Sequence, residues 1–415
     1  MSSETTPTAT RRPALGVAEL IAFVASLTAL NALAIDMMLP ALGDIGASLG
    51  VARANDTQLV ILVYIFSSGV AQLFYGPLAD RFGRRIVLLA ALGGYALAAS
   101  LAIVATSFTM LLVARMLQGV TTAAGRVVGI AVVRDMSSGR RMAEIMSTAM
   151  TIFMIVPIIA PGVGQAIMLA TPWRGLFVVL AVFGVVMWVW TWLRLPETLP
   201  PERRTPLKFG TVSRAFAAVL RNRIAFGYTL ASMCMFAAPM AYLSSADQIF
   251  MRTFDLGALF PVVFGCVAIS LAAASLTNAR LVGRFGMRLI SHLAALVFLA
   301  VNLVHVIVAV AGFETLATFV VLQMIAFFGV GLMIGNFSAL ALEPLGHIAG
   351  VASSALGFAT MSGSALIGGL IARFYDGTTA PLAIGFACTA VAVVVILLVT
   401  ERGRLMRPGA EHADG

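Results

Sequence analysis

Twelve separated runs of apolar residues, each long enough to cross a bilayer, dominate this chain of 415 residues. A helix advances only ~1.5 Å per residue, so about 20 apolar residues cover the ~30 Å hydrocarbon core. The runs lie at roughly 17–40, 57–78, 86–106, 109–132, 144–169, 174–195, 223–244, 256–279, 288–311, 315–338, 348–371 and 380–400. Lipid offers the backbone no hydrogen-bonding partner, so such runs cross as α-helices. The expected fold is an all-α polytopic membrane protein with twelve transmembrane helices. Only 11% of the residues are charged, against about 25% in a soluble domain, which is too few for a water-facing skin. The first run is too long for the apolar region of a signal peptide, and no small-residue cleavage site ends it. It reads as a retained span.

Arginine sets the expected orientation. With the N-terminus inside, twenty-one of the 27 basic residues fall in inner segments and only Arg53, Arg174, Arg252 and Arg373 in outer ones. Cytoplasmic segments carry the excess of Lys and Arg, so both termini are expected in the cytoplasm. The longest polar connection, Pro196 to Arg221, is basic and Pro-rich. DRFGRR (Asp80 to Arg85) after the second run recurs as GRFGMR (Gly283 to Arg288) after the eighth, 203 residues on. Parallel six-span repeats are a known transporter architecture. The expected division is a tail (1–16), a six-helix bundle (17–195), a cytoplasmic linker (196–222), a second six-helix bundle (223–400) and a tail (401–415).

The net charge of +9 does not point to nucleic acid, because the basic residues sit in short clusters between apolar runs. Cys234, Cys266 and Cys388 lie far apart within such runs and read as small core residues. There is no metal-ligand spacing, no nucleophile–base constellation and no G-x-x-x-x-G-K-[ST] phosphate loop. An enzyme or an ATP-driven pump is therefore not expected.

Ionisable groups within a span cost about 2.5–3.5 kcal/mol on insertion scales, so each needs a reason. Asp36 lies near the outer end of the first run. It is either an interfacial carboxylate beside a helix end at Pro40, or a proton carrier. Arg115 and Arg126 are the basic residues of the fourth run; eleven residues is almost three full helical turns, so they share a face with Gln118 and near Thr122. That stripe should face the bundle interior or an aqueous cavity; Arg126 is alternatively a structural partner of backbone carbonyls. Pro157, Pro161, Gly162 and Gly164 predict a bend in the fifth run, either a simple kink or a close contact between the two halves. Tyr64, Tyr228, Met235, Phe236 and Tyr242 are further candidates for lining a cavity. Glu343 and His347, four apart, are placed to hydrogen-bond in a structural role. Gly76, Asp80, Arg81, Gly83, Arg84 and Arg85 form a charged turn, read as a topology signal or as a hinge that locks and releases helices.

Several of these segments carry a resemblance. Gly76-Pro-Leu-Ala-Asp-Arg-Phe-Gly-Arg-Arg85 is similar to the signature loop of the major facilitator superfamily. Ile35-Asp-Met-Met-Leu-Pro40, Arg115-Met-Leu-Gln-Gly119 and Pro157-Ile-Ile-Ala-Pro-Gly-Val-Gly164 resemble motifs of its drug/proton antiporter branch. Val133-Arg-Asp135, Trp173-Arg174 and Leu195-Pro-Glu-Thr-Leu199 resemble the bicyclomycin/chloramphenicol-resistance (Bcr/CflA) subfamily. The match is dense in the first half. In the second it rests on the repeated loop and on Glu343-Pro-Leu-Gly-His347. The resemblance implies drug:H+ antiport by alternating access in a bacterial inner membrane, driven by the proton gradient without a cofactor. Asp36 would carry the proton and Arg115 would act as its electrostatic partner. The implied partners are a small amphipathic drug or metabolite, protons and the bilayer, and the implied state is a monomer. The alternative is a carrier for one specific metabolite.

Overall fold

The computed structural model describes residues 15–205 and 209–406. Among them, twelve helices are long and apolar enough to cross a membrane. They are spans 1 (Val17–Ser48), 2 (Ala54–Phe82), 3 (Arg84–Ile103), 4 (Phe108–Met136), 5 (Gly139–Ala170), 6 (Arg174–Arg194), 7 (Arg223–Thr253), 8 (Gly257–Phe285), 9 (Met287–Val310), 10 (Leu316–Gly346), 11 (Ala352–Ala372) and 12 (Ala380–Thr400). Leu97, Leu169, Val182, Ile307 and Val399 are exposed on the outer surface, as expected where the solvent is lipid. The chain is a multi-pass membrane protein.

Helix starts follow local chemistry. The hydroxyl of Ser107 accepts from the Met110 amide, the Asn222 side chain accepts from Ile224 and Ala225, and Thr315 and Thr318 form a reciprocal capping box. At the two copies of the repeated loop, Gly83 (φ +98) and Gly286 (φ +76) turn the chain from one span directly into the next. Both need the positive φ that glycine adopts at no steric cost.

Packing repeats with the sequence. Spans 1–4, 1–5, 2–4, 3–4 and 3–6 pack together, and so do their counterparts six spans later, 7–10, 7–11, 8–10, 9–10 and 9–12. The two groups meet through spans 2 and 11 and through spans 5 and 8. A helix at Phe209–Arg221 docks on the second group, with Val219 among Ala225, Leu345, Ala352 and Ala355, and Phe216 against Phe358. The start of span 1, the end of span 12 and this helix lie at one end of the bundle, called here the terminal face.

Two span ends differ from the sequence expectation. The first span does not stop at Pro40. Its α-helix ends at Asp36, a 3-10 turn carries Leu39–Ala41, and helix resumes over Leu42–Ser48. Pro40, which has no N–H, sits in that turn. Asp36 is thus well inside the span rather than near its end. Span 7 runs past residue 244 through Asp247 and ends in a π-helical turn, Gln248–Thr253.

Candidate functional site

Arg115 is fully buried and ties three spans together. Its Nη2 donates to the Ala34 carbonyl of span 1 (2.9 Å), its Nε to the Val60 carbonyl of span 2 (3.0 Å), and its Nη1 to Gln118 Oε1 (2.9 Å). The guanidinium lies over the Tyr64 ring at 4.3 Å from the centroid, with Phe177 at 5.9 Å. A planar, multi-donor cation suits this cage where a point charge would not. Tyr64 in turn donates to Asn31 Oδ1 (2.9 Å). One turn on from Arg115, a Cβ at Gly119 would run into the Tyr64 carbonyl and the Ser67 hydroxyl. The glycine of the Arg115–Gly119 motif is therefore what lets spans 2 and 4 touch closely enough for the guanidinium to reach Val60.

Asp36 is 6% exposed and makes no hydrogen bond or ion pair with any described residue. It is not ion-paired to Arg115, the electrostatic partner that the resemblance implied. Arg115 instead grips the backbone two residues before Asp36, so it positions this segment of span 1. On the other side of the segment, a Cβ at Gly164 of span 5 would collide with the Met37 carbonyl. Spans 4 and 5 thus clamp the backbone on either side of Asp36.

The rest of the fifth-span motif lies between the halves. Span 5 stays helical through Pro157 and Pro161. Gly162 faces Pro261 of span 8, and Gly265 of span 8 faces the Ile158 carbonyl.

The polar stripe on span 4 divides. Gln118 and Thr122 are buried; Thr122 faces a small cavity between spans 1, 3 and 4, beside Leu30, Leu92 and Tyr95. Arg126, on the same stripe, is exposed. Three expected cavity residues are corrected. Tyr228 donates to Glu401 Oε1 (2.7 Å) and meets His292 Nε2 (3.0 Å), inside the second half. Tyr242 packs among Phe250, Phe264 and Phe327. Met235 is wholly buried in the same core, whereas Phe236 is half-buried. Apolar composition alone does not show which face of a helix turns inward to its own half.

The signature loop is a closed charge network. Arg84 pairs with Asp80 (2.6 Å) and Asp135 (3.1 Å), and Asp135 also accepts from Thr198 (3.1 Å). Glu197 accepts from the first backbone amides of span 3, Arg84 (2.8 Å) and Arg85 (3.3 Å). It thereby caps the positive end of that helix from a distant segment. A Cβ at Gly83 would clash with the same carboxylate. The Arg85 guanidinium donates to the Trp192 carbonyl (2.8 Å), and Thr205 N donates to the Asp80 carbonyl (3.1 Å). Gly76 has open space around it, and exposed Arg81 lies by the Phe82 ring. Each of these contacts stays within the first half and its connection to the linker. In the second half Arg288 pairs with Glu343 (3.0 Å) and Glu401 (3.3 Å). Glu343 is thus engaged by Arg288; the His347 side chain, its expected partner, lies outside the described residues.

At the end opposite the terminal face, polar side chains join the two halves. Gln58 Nε2 donates to Gln248 Oε1 (2.7 Å) and the Ala372 carbonyl (3.1 Å). Gln248 Nε2 donates to Asn55 Oδ1 (2.8 Å), and Asn55 Nδ2 to the Arg373 and Tyr375 carbonyls (2.9 and 3.0 Å). Below this layer Gly69 packs on Ser362, whose hydroxyl donates to the Phe66 carbonyl (3.1 Å). Sequence reading missed this seam and missed Asp247. The signal was the polar run Ser244 to Gln248 following the seventh apolar run.

Comparison with known proteins agrees with this architecture. Residues 24–368 match the profile of the Major Facilitator Superfamily. The chain is 33% identical to the uncharacterized MFS-type transporter YdgK of Bacillus subtilis, over 84% of this chain and 86% of that protein. It is 28% identical to a bicyclomycin resistance protein homolog of Haemophilus influenzae (89% and 92% covered). It is 31% identical to the multidrug resistance protein MdtL of Klebsiella pneumoniae (88% and 92% covered). The chain belongs to the Major Facilitator Superfamily, a family of membrane transporters and not of enzymes.

Proposed function

We propose that this protein is a proton-coupled efflux carrier for small amphipathic drugs, working by alternating access as a monomer in a bacterial inner membrane, within the Bcr/CflA subfamily. The observation that carries the proposal is Asp36: a buried carboxyl without a partner among the described residues, at a break in span 1, clamped by the two antiporter-like motifs. An unpaired charged carboxylate is costly to enclose, whereas its protonated form costs far less. Proton occupancy at Asp36 therefore biases which arrangement of the halves is stable. Exchange of that proton for a drug converts an inward proton gradient into outward drug movement. The resistance-named relatives support a drug as the substrate class.

The arginine distribution supports a cytoplasmic terminal face. The seam of Asn55, Gln58 and Gln248 then closes the outer side. A single cysteine at Gly377, placed in a protein lacking Cys234, Cys266 and Cys388, is expected to react with an impermeant thiol reagent added outside intact cells, and one at Thr205 is not. Outside labelling at 205 would contradict the orientation.

Purified protein in liposomes is expected to move a cationic dye uphill when a pH gradient is imposed, and to stop when a protonophore collapses it. Uphill movement with the gradient collapsed rejects proton coupling. Movement confined to a single metabolite rejects the multidrug reading.

A further inference from the structure

The second half holds its own unpaired buried carboxyl. Asp247 is 5% exposed and has no hydrogen bond or ion pair to a described residue. It sits at the end of the α-helical part of span 7, and the next residue, Gln248, is the centre of the outer seam. Its Oδ2 lies over the backbone of Gly43, 3.9 Å from where a Cβ would stand. Span 1 thus covers the carboxyl from the other half, one segment beyond Asp36. The charged groups around it are few and on the rim: Asp44 on the same stretch of span 1 and Arg252 in the π-helical turn, both exposed, neither ion-paired with it. Asp56 of span 2 and Arg373 after span 11 pair with each other at 3.4 Å. The hydrogen bonds of the seam itself come from amides, backbone carbonyls and the hydroxyls of Tyr375 and Thr253, none of which titrates in the physiological range.

We propose that Asp247 is a second proton-binding site, loaded from the outer aqueous phase, whose neutral form lets spans 1 and 7 close over it. This rests on the proton-coupled reading above. Closing the outer face moves Asp247 from water to contact with the Gly43 backbone. That step leaves a charged carboxylate with nothing to replace its hydration, whereas a protonated carboxyl loses far less. When the seam separates, water reaches the carboxyl again and the proton can leave or reload. The seam supplies adhesion that does not vary with pH, and Asp247 makes closure depend on pH. The two carboxyls divide the labour: Asp36, clamped by its own half, and Asp247, buried only when the halves meet.

The test is a distance measurement. Spin labels at Ala52→Cys, between spans 1 and 2, and Ala258→Cys, in the first turn of span 8, both exposed at the outer end, report the width of the outer face in the full-length protein lacking its native cysteines. In the parent, short distances are expected to dominate at acidic pH and longer ones to appear as the pH rises. Asp247→Asn is expected to favour short distances across the pH range, losing the larger part of the response and keeping only what Asp36 contributes. Asp247→Glu, which keeps the titrating group, is expected to retain it, and Asp36→Asn is expected to keep a pH response at the outer face. A parent without a pH response, or an Asp247→Asn protein that opens as the parent does, overturns the proposal. Uphill flux driven by an imposed pH gradient is scored separately in the same preparations. Flux without dependence of the distances on Asp247 rejects this site alone. A response that follows Asp247 without gradient-driven flux rejects the antiport reading and leaves the site standing.

Discussion

Gly164→Val is expected to abolish transport and to lower the yield of folded protein. The first carbon of any side chain at 164 would run into the carbonyl oxygen of Met37. That obstacle is backbone, in the segment next to Asp36, and it cannot swing away as a side chain would. Overpacking a tight site costs about 1–3 kcal/mol even where side chains can shift. Here span 5 must separate from span 1, which moves the carboxyl out of its clamp. Gly162→Ala, two residues away, is the control. Its nearest neighbour is Pro261 at 3.7 Å, an ordinary contact, so transport close to the parent's is expected. Dye efflux together with a monodisperse elution profile in detergent checks both. A Gly164→Val protein that transports like the parent would show that spans 1 and 5 need not touch here.

Arg115→Lys is expected to cost nearly as much transport as Arg115→Ala, although it keeps the positive charge. The guanidinium spends three donors on three acceptors, two of them backbone carbonyls on separate spans. A lysine ammonium has three donors but not their planar spread, so it cannot reach Ala34 and Val60 while holding Gln118. Each buried acceptor left without a donor costs about 1–3 kcal/mol, and the stacking on Tyr64 weakens as well. Loss of thermal stability in both variants, read by unfolding in detergent, is the accompanying expectation. If lysine restores transport to the parent level, Arg115 acts by charge alone, and its place as a positioning residue for span 1 is wrong.

The twelve spans were legible because lipid imposes a composition on every surface it touches, and composition is written locally. The division into repeated packing was legible from a loop seen twice. Buried ionisable residues were also legible as exceptions, since Asp36 and Arg115 stand out within apolar runs. Their partners were not. Arg115 is held mainly by backbone carbonyls, which every residue possesses, so no letter in the sequence marks Ala34 or Val60 as acceptors. The seam joins Gln58 to Gln248 across 190 residues, and amides at the end of an apolar run read as loop. Tyr228 and Tyr242 were misplaced because an all-apolar helix carries little amphipathic signal, and its inward face is chosen by tertiary packing. Glu197 shows the converse: its segment resembled a subfamily motif, but its role as an acceptor for the start of span 3 appears only in three dimensions.

Asp36→Asn supplies the most direct test of the central claim, that a proton on Asp36 is exchanged for the drug. Asparagine mimics the protonated carboxyl in shape and lacks the charge. The parent protein in weakly buffered detergent solution is expected to release protons when substrate is added, read by a pH-sensitive dye. Asp36→Asn is expected to bind the same substrate, by quenching of tryptophan fluorescence, and to release none. Proton release from Asp36→Asn equal to the parent's would contradict the account and move the exchanged proton to another group.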